Sequence, residues 1–208
     1  MYVFVCGMTL NLGDVEAALA TLPFIEGYSA SKNIDVYDMY SDYNKSQAQA
    51  QGVTVSYFSN ANMKIQAGRF LSEADNDTLS QVAVLGVDAA NELFSNTGYS
   101  AQEMVGKFVK VNHVWLKVVG VIAPPPGNKS EFQGVKIGGD RYRVFVPLSV
   151  SGNKFASDTL ASELDSIKLN VVKGTDPLIA AKAIDSLIKM RHGGLDDYQL
   201  IIPAALLE

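Results

Sequence analysis

The chain has 208 residues, 48% of them apolar, and its 17 basic against 22 acidic side chains leave a net charge of −5. That length and apolar content support a buried core in one domain or two small ones and exclude a disordered chain. Without a basic excess there is no electrostatic footprint for a nucleic-acid backbone, and an anionic membrane surface is disfavoured on the same grounds.

The run from Tyr2 to Met8 predicts a strand. Asn11-Leu12-Gly13-Asp14 then opens a helix through Leu22, with Asp14 and Glu16 in the first turn, where the helix dipole favours carboxylates, and Pro23 as its stop. Val15, Ala18, Leu19 and Leu22 fall on one face of it. Ile25–Tyr40 and Lys45–Val55 read as two long strands joined in a hairpin at the polar Ser41-Asp42-Tyr43-Asn44 cluster. Lys45 to Gly52 reads as too polar to be buried on either face. Ser56 to Met63 reads as a short helix or turn, followed by Ile65.

From Gly68 to Pro147 the chain becomes a series of short β-branched runs, most of them ended by Gly or Pro. The spacing predicts a strand at Gln81–Leu85, a helix at Asp88–Phe94, a polar loop, and strands Phe108–Asn112 and Val114–Ile122 about a tight turn at Asn112-His113. A Pro/Gly-rich loop from Pro124 to Gly139 and a strand at Tyr142–Val146 follow; a loop of that length marks a mobile or functional segment. The last third returns to the opening style. Ser166–Val172 alternates, with Ile167, Leu169 and Val171 on one side. Asp176-Pro177 caps a helix whose apolar face carries Ala180, Ala183, Ile184, Leu187 and Ile188 and which ends at Gly193-Gly194. Strand Tyr198–Ile202 closes a β-α-β unit. The opening and closing units together predict one β/α sandwich interrupted by a mainly β insertion, an α+β fold.

Candidate chemistry is sparse. Cys6 is the single cysteine, so neither an internal disulfide nor a thiolate metal site is available, and it reads as a small apolar strand residue. The two histidines, His113 beside Trp115 at the turn and His192 at a helix C-terminus, lack the closely spaced partners of a zinc site. No Ser sits in a Gly-x-Ser-x-Gly elbow. Glu73, Asp75 and Asp77 resemble part of a calcium loop but lack its central glycine and distal glutamate, and read as a solvated loop. Gly138-Gly139-Asp140 and Asp196-Asp197 read as turn residues before ion ligands. No helix follows Gly134–Gly139, so that stretch reads as a flexible loop and not as a phosphate cradle. Phe24, Tyr28, Tyr37, Tyr40, Tyr43, Tyr57 and Phe58 crowd the first quarter as core and strand-edge aromatics, or as a contact surface for a partner or amphipathic ligand. No catalytic, cofactor-binding or metal residue is assigned, and no contact residue for partner or substrate.

Taken in order, the spaced blocks resemble the extracytoplasmic core domain of MacB-like and FtsX-like ABC transporter permeases. The residues that carry the resemblance are Gly68-Arg69-Phe70-Leu71 and Ser72-Glu73-Ala74-Asp75-Asn76, then Val82-Ala83-Val84-Leu85-Gly86 with Leu93-Phe94. They continue with Val105-Gly106-Lys107, Val111-Asn112, Val118-Val119-Gly120-Val121, Asp140 and Val144-Phe145-Val146-Pro147-Leu148-Ser149. Arg191-His192-Gly193 and Asp196-Asp197-Tyr198 complete the series. The first sixty residues match only loosely.

The resemblance implies a porter-like β/α subdomain over 1–64 and 151–208 and an inserted mostly-β, Sabre-like subdomain over 65–150. It implies a non-enzymatic role without cofactors: ATP hydrolysis resides in a separate nucleotide-binding domain, in the same or another chain, and this chain has no Gly-x-x-x-x-Gly-Lys-Ser/Thr loop. It further implies a homodimer in the full-length transporter, a monomer for the isolated fragment, and an adaptor or membrane-fusion protein as partner, with no nucleic acid. The whole protein belongs in the cell membrane and this domain in the periplasm or outside the cell, where it transmits ATP-driven motion to efflux or to a partner. Both ends accord with excision from a longer chain: a strand starts directly after Met1, and Leu200–Leu207 is apolar, with Pro203 placed as the first residue of an undeveloped helix. No stretch reaches the roughly 18–20 apolar residues of a spanning helix, and no signal-peptide pattern opens the chain. The alternative from another class is a free extracytoplasmic ligand-binding module using the aromatic first quarter and the Pro124–Gly139 loop, including Tyr28 and Phe132.

Overall fold

The computed structural model describes residues 1–126, 139–155 and 163–203. Phe132, Gly138, most of the Pro124–Gly139 loop and the apolar tail beyond Pro203 lie outside them. In chain order the first elements are β1 (Tyr2–Leu10), α1 (Leu12–Thr21), β2 (Ile25–Ile34), β3 (Met39–Ser41), β4 (Gln49–Val53), α2 (Ser56–Asn60) and β5 (Ile65–Gly68). Then come α3 (Glu73–Asp77), β6 (Val82–Leu85), α4 (Val87–Leu93), α5 (Ala101–Met104), β7 (Phe108–Val111), β8 (Val114–Ile122) and β9 (Arg143–Pro147). The last are α6 (Leu148–Lys154), β10 (Leu164–Val171), α7 (Pro177–Arg191) and β11 (Tyr198–Ile201). The chain forms two compact units, a terminal one of Met1–Lys32 with Ser157–Glu208 and an inserted one of Asn33–Ala156.

In the terminal unit the strand order is β11-β1-β10-β2, every neighbour antiparallel. β1 and β2 therefore run parallel with β10 between them, and β10 and β11 run parallel with β1 between them. These are two interlocked β-α-β crossovers, the split arrangement of ferredoxin-like folds, with the insertion standing where a hairpin would return β2 to β10. Strict alternation builds the core: Val3 and Val5 of β1 and Ile167, Leu169 and Val171 of β10 are buried, as are Val15 and Ala18 of α1 and Ala180, Ile184 and Ile188 of α7. Each fully buried Ile or Leu of this set contributes about 2 kcal/mol. Leu19, predicted on the apolar face of α1, is exposed instead, while Asp14 in the first turn is buried beside Val15.

The inserted unit is a mixed sheet in the order β4-β9-β6-β8-β7-β3, with β5 also on β8. β4 with β9 and β6 with β8 are parallel, and the remaining pairs antiparallel. Its central strands are buried on both faces, which is why they read as unbroken apolar runs. Ala83, Leu85, Val144 and Val146 pack with Ala89, Ala90 and Leu93 of α4 and Met104 of α5. Val84 and Phe145, one residue out of step, pack on the other face with Val53, Phe58, Leu71 and Ile122. Gly68 (φ +74°) meets β8 so closely that a Cβ there would collide with the Val119 carbonyl.

Two expectations fail here. The strand expected over residues 25–40 is broken into β2 and β3, and β3 pairs with β7 instead of continuing a two-stranded hairpin. The turn itself stands where expected, with a Tyr40–Lys45 bridge closed by a Ser41 N–H to Asn44 carbonyl bond of 2.9 Å. Nor is Lys45–Gly52 exposed throughout: Lys45, Gln47 and Gln49 are, and the rest is not. Ser46, Ala48, Ala50 and Gln51 are all buried, because small side chains let β4 lie between β9 and α6.

Candidate functional site

The densest polar cluster among the described residues joins four segments of the terminal unit. Asn11 caps α1: its side chain accepts the Asp14 N–H at 3.1 Å, and the Asp14 carboxylate accepts the Asn11 N–H at 3.1 Å, a reciprocal capping box. That carboxylate also receives Arg191 Nε at 2.8 Å and His192 Nε2 at 3.0 Å, both from the C-terminal end of α7. The other imidazole nitrogen, Nδ1, lies 2.9 Å from Asp197 Oδ1, just before β11. Thr9 of β1 completes the ring, donating its hydroxyl to Asp197 and sitting 3.0 Å from His192 Nδ1. Carboxylate at a helix N-terminus and cations at a helix C-terminus also complement both dipoles.

Burial makes the cluster strong. The side chains of Asp14 and His192 are 1% and 6% exposed. Burial pushes the Asp14 carboxyl up, but the bonds from Arg191, His192 and Asn11 outweigh it and hold the group below its ordinary range. Burial likewise opposes a charged His192, yet the Asp197 and Asp14 carboxylates outweigh that and raise its pKa. Asp197 is lowered by the Thr9 and His192 bonds. A carboxylate at each ring nitrogen favours the imidazolium, whose two N–H groups donate one to each. Gly13 makes the room: a Cβ there would stand 2.7 Å from Arg191 Nη2.

The Thr9–His192–Asp14 sequence has the spacing of a nucleophile, base and orienting acid, but not the protonation. The Thr9 proton is committed to Asp197, and a doubly donating imidazolium has no lone pair to accept one. The arrangement is an electrostatic clasp that ties β1, α1, α7 and the lead into β11.

The remaining sequence candidates disperse. Glu73, Asp75 and Asp77 form helix α3 and not a solvated loop: Ser72 caps it, and Asp75 is buried with Arg69 Nη1 and Nη2 at 2.7 and 3.1 Å. Asp140 accepts the Tyr57 hydroxyl at 2.9 Å and Arg143 Nη1 at 2.7 Å; burial and that carboxylate hold the Tyr57 pKa well above its ordinary value. His113 sits at the exposed β7–β8 turn, where Asn112 takes φ +55° and the Tyr37 hydroxyl lies 2.6 Å from Nδ1. Cys6 is half-buried and points at Ser166 Oγ, 3.7 Å away. Of the first-quarter aromatics, Phe58 is core, while Tyr37 and Tyr43 are exposed. No group of three His, Cys, Asp or Glu side chains among the described residues could hold a metal. A crevice of about 170 Å³ lined by Met63, Ile122, Pro124 and Arg141 is too small for a drug-sized ligand, which needs roughly 300 Å³ or more.

Sequence reasoning placed His192, Asp196 and Asp197 at a helix end and a turn but did not join them to Asp14 and Thr9. The signal available was the capping pattern Asn11-x-x-Asp14 alone.

An interlocked β-α-β unit interrupted between its halves by a mixed-sheet insertion defines a class of two-part α+β domain. The profile of the MacB-like periplasmic core domain matches residues 6–187, and the chain belongs to that family. It is 27% identical over 187 residues to the macrolide export ATP-binding/permease protein MacB of Campylobacter jejuni, covering 90% of this chain and 27% of that protein. It is 30% identical over 149 residues to MacB of Aggregatibacter actinomycetemcomitans, covering 72% of this chain and 21% of that protein. The chain thus spans about a quarter of the length of these relatives. Among solved structures, the periplasmic region of MacB from Actinobacillus actinomycetemcomitans shares the fold with a TM-score of 0.74 at 20% identity, over 96% of this chain and 87% of that one. The extracellular domain of the noncanonic ABC-type transporter YknZ from Gram-positive bacteria follows at 0.71 and 15%, over 97% and 100%. No helix among the described residues is long and apolar enough to cross a membrane.

Proposed function

We propose that this MacB-like domain works outside the cytoplasm as part of a dimeric ABC transporter permease, transmitting ATP-driven motion to substrate efflux or to an adaptor protein. The terminal unit acts as the porter-like element and the inserted unit as the Sabre-like one, and ATP is hydrolysed in a separate nucleotide-binding domain. The observation that carries this reading, given the family, is the pairing of β1 with β11. Phe4 stands opposite Ile201 in an antiparallel ladder, so the chain enters and leaves the terminal unit side by side, about 5 Å apart. That is the geometry of a domain looped between two consecutive anchors. A pull on either strand loads the β1–β11 ladder in shear, and the His192 clasp rivets the opposite end of those two strands.

The test uses the full-length permease in lipid, with Cys6→Ser and a spin label at Tyr37→Cys, an exposed position. Distances between the labels of the two protomers are expected to differ between nucleotide-free and ATP-bound states. A distribution unchanged by nucleotide would sink the reading.

A further inference from the structure

Among the described residues, half of one face of the inserted sheet has no covering layer. On that face Val84, Phe145 and, at the margin, Val82 and Val119 are roofed by Phe58, Phe70 and Leu71. The roof stops there. Beyond it β8, β7 and β3 present Trp115 and Lys117, Phe108 and Lys110, and Tyr40, while their alternate residues Val109, Val111, Leu116 and Met39 fill the core on the other face. Tyr40, Lys110 and Trp115 are cross-strand neighbours in one row, and Phe108 and Lys117 pair in the next. The Lys110 ammonium lies 5.5 Å from the centre of each flanking ring, and the Tyr40 and Trp115 rings meet edge-on at 6.2 Å. Phe108 and Trp115 are 50% and 42% exposed.

We propose that this chequerboard is a docking surface for an acidic segment of a partner protein, with glutamates or aspartates spaced by aliphatic side chains. Neither Lys110 nor Lys117 makes an ion pair with a carboxylate among the described residues. Asp38, two positions before Tyr40, is instead 4.0 Å from Lys45. Two unpaired ammonium groups set among two exposed aromatic rings, Phe108 and Trp115, and the half-buried Tyr40 are complementary to carboxylates alternating with apolar groups. Exposed Trp and Tyr with a desolvated centre are the composition of interface hot spots. The rings also hold Lys110 in place by cation–π attraction, so little side-chain freedom is lost on binding. A nucleic acid or an anionic bilayer presents a wider field of negative charge than two lysines on a chain of net charge −5 can match, whereas a short segment needs only this local patch. The inference rests on the transmission reading in that a domain that moves must act through a surface.

Trp115 is the chain's single tryptophan, so its fluorescence reports the surface directly. The probe is a capped twelve-residue peptide alternating Glu and Leu, titrated into the 208-residue chain. A saturable change that weakens with salt is expected, with no response to the matching Lys/Leu peptide. Lys110→Glu and Lys117→Glu should each weaken binding about tenfold, equivalent to about 1.4 kcal/mol, while Lys182→Glu on α7 leaves it unchanged. Circular dichroism selects the folded variants, and either lysine alone suffices for the test. No saturable change, equal response to both peptides, indifference to both charge reversals, or a response only to phosphatidylglycerol vesicles or a linear oligosaccharide would overturn the proposal. If the spin labels still move with nucleotide while the peptide fails to bind, the docking surface falls alone; binding with immobile labels leaves it standing and removes the transmission reading.

Discussion

The two units solve the same packing problem by different means. The terminal unit is a single sheet whose alternating strands bury one set of apolar residues with two helices, and it closes its end with a charged clasp of Asp14, Arg191, His192 and Asp197. The inserted unit buries its central strands on both faces, Val144 and Val146 one way and Phe145 the other, and most of its ion pairs lie at half-exposed positions. The first arrangement makes part of its stability depend on protonation; the second depends on volume. In a domain proposed to carry force, the difference separates a fastening that can be loosened chemically from a body that stays rigid.

The comparison is broken most directly in the inserted core. Phe145 is fully buried, with Tyr57 and Phe58 ring centres at 5.5 and 5.4 Å. Phe145→Ala is expected to destabilise the inserted unit by about 4 kcal/mol, the transfer loss plus the cavity left behind. Urea unfolding followed by Trp115 fluorescence reads that unit, and a loss no larger than that of a surface change would contradict the two-core account. In the terminal unit Asp14→Ala removes the buried carboxylate shared by Arg191 and His192, leaving His192 with Asp197 alone, at a cost of about 3 kcal/mol. Hydrogen exchange of the β1 and α7 amides reads it. Protection equal to that of the parent chain would show the clasp to be ornamental.

Most strands were legible because their burial pattern is local. Ile167, Leu169 and Val171 alternate, and Val82–Leu85 and Val144–Val146 are apolar without a break, so period and length identified them. The partners were not legible. Met39–Ser41 pairs with β7 and Gln49–Val53 with β9, about 70 and 94 residues away, and nothing near Ser41–Asn44 announces either pairing. Helices α3 and α5 are short enough to show no period. Their one local mark is a capping box, Ser72-x-x-Asp75 and Ser100-x-x-Glu103, a pattern also available at Asn11-x-x-Asp14. The clasp was half visible, since a carboxylate at one helix start and cations at another helix end were read as dipole compensation. That Asp14 and His192 meet across 178 positions depends on the interlocked topology, which no spacing rule contains.

The smallest effect sharpens the contrast furthest, because it separates the units by chemistry and not by size. An unfolded imidazole titrates near 6.5, and that of His192 is raised in the folded chain. A group with a raised folded pKa contributes fully below its unfolded value and loses that contribution as pH climbs through the folded one. Asp14 and Asp197 run the opposite way: lowered from 3.8, they contribute above that value and fail as pH falls through their folded values. The clasp is therefore strongest between about pH 4 and pH 6.5. Stability of the terminal unit should decline as pH rises above about 6.5 and through the raised pKa of His192, while the Tyr198 hydroxyl against the imidazole stays neutral because burial and Asp185 hold its pKa high. His192→Gln should flatten the decline and His113→Gln, on the inserted unit, should leave it intact. Equal slopes in all three chains would move the pH dependence away from the clasp and erase the distinction between the two units.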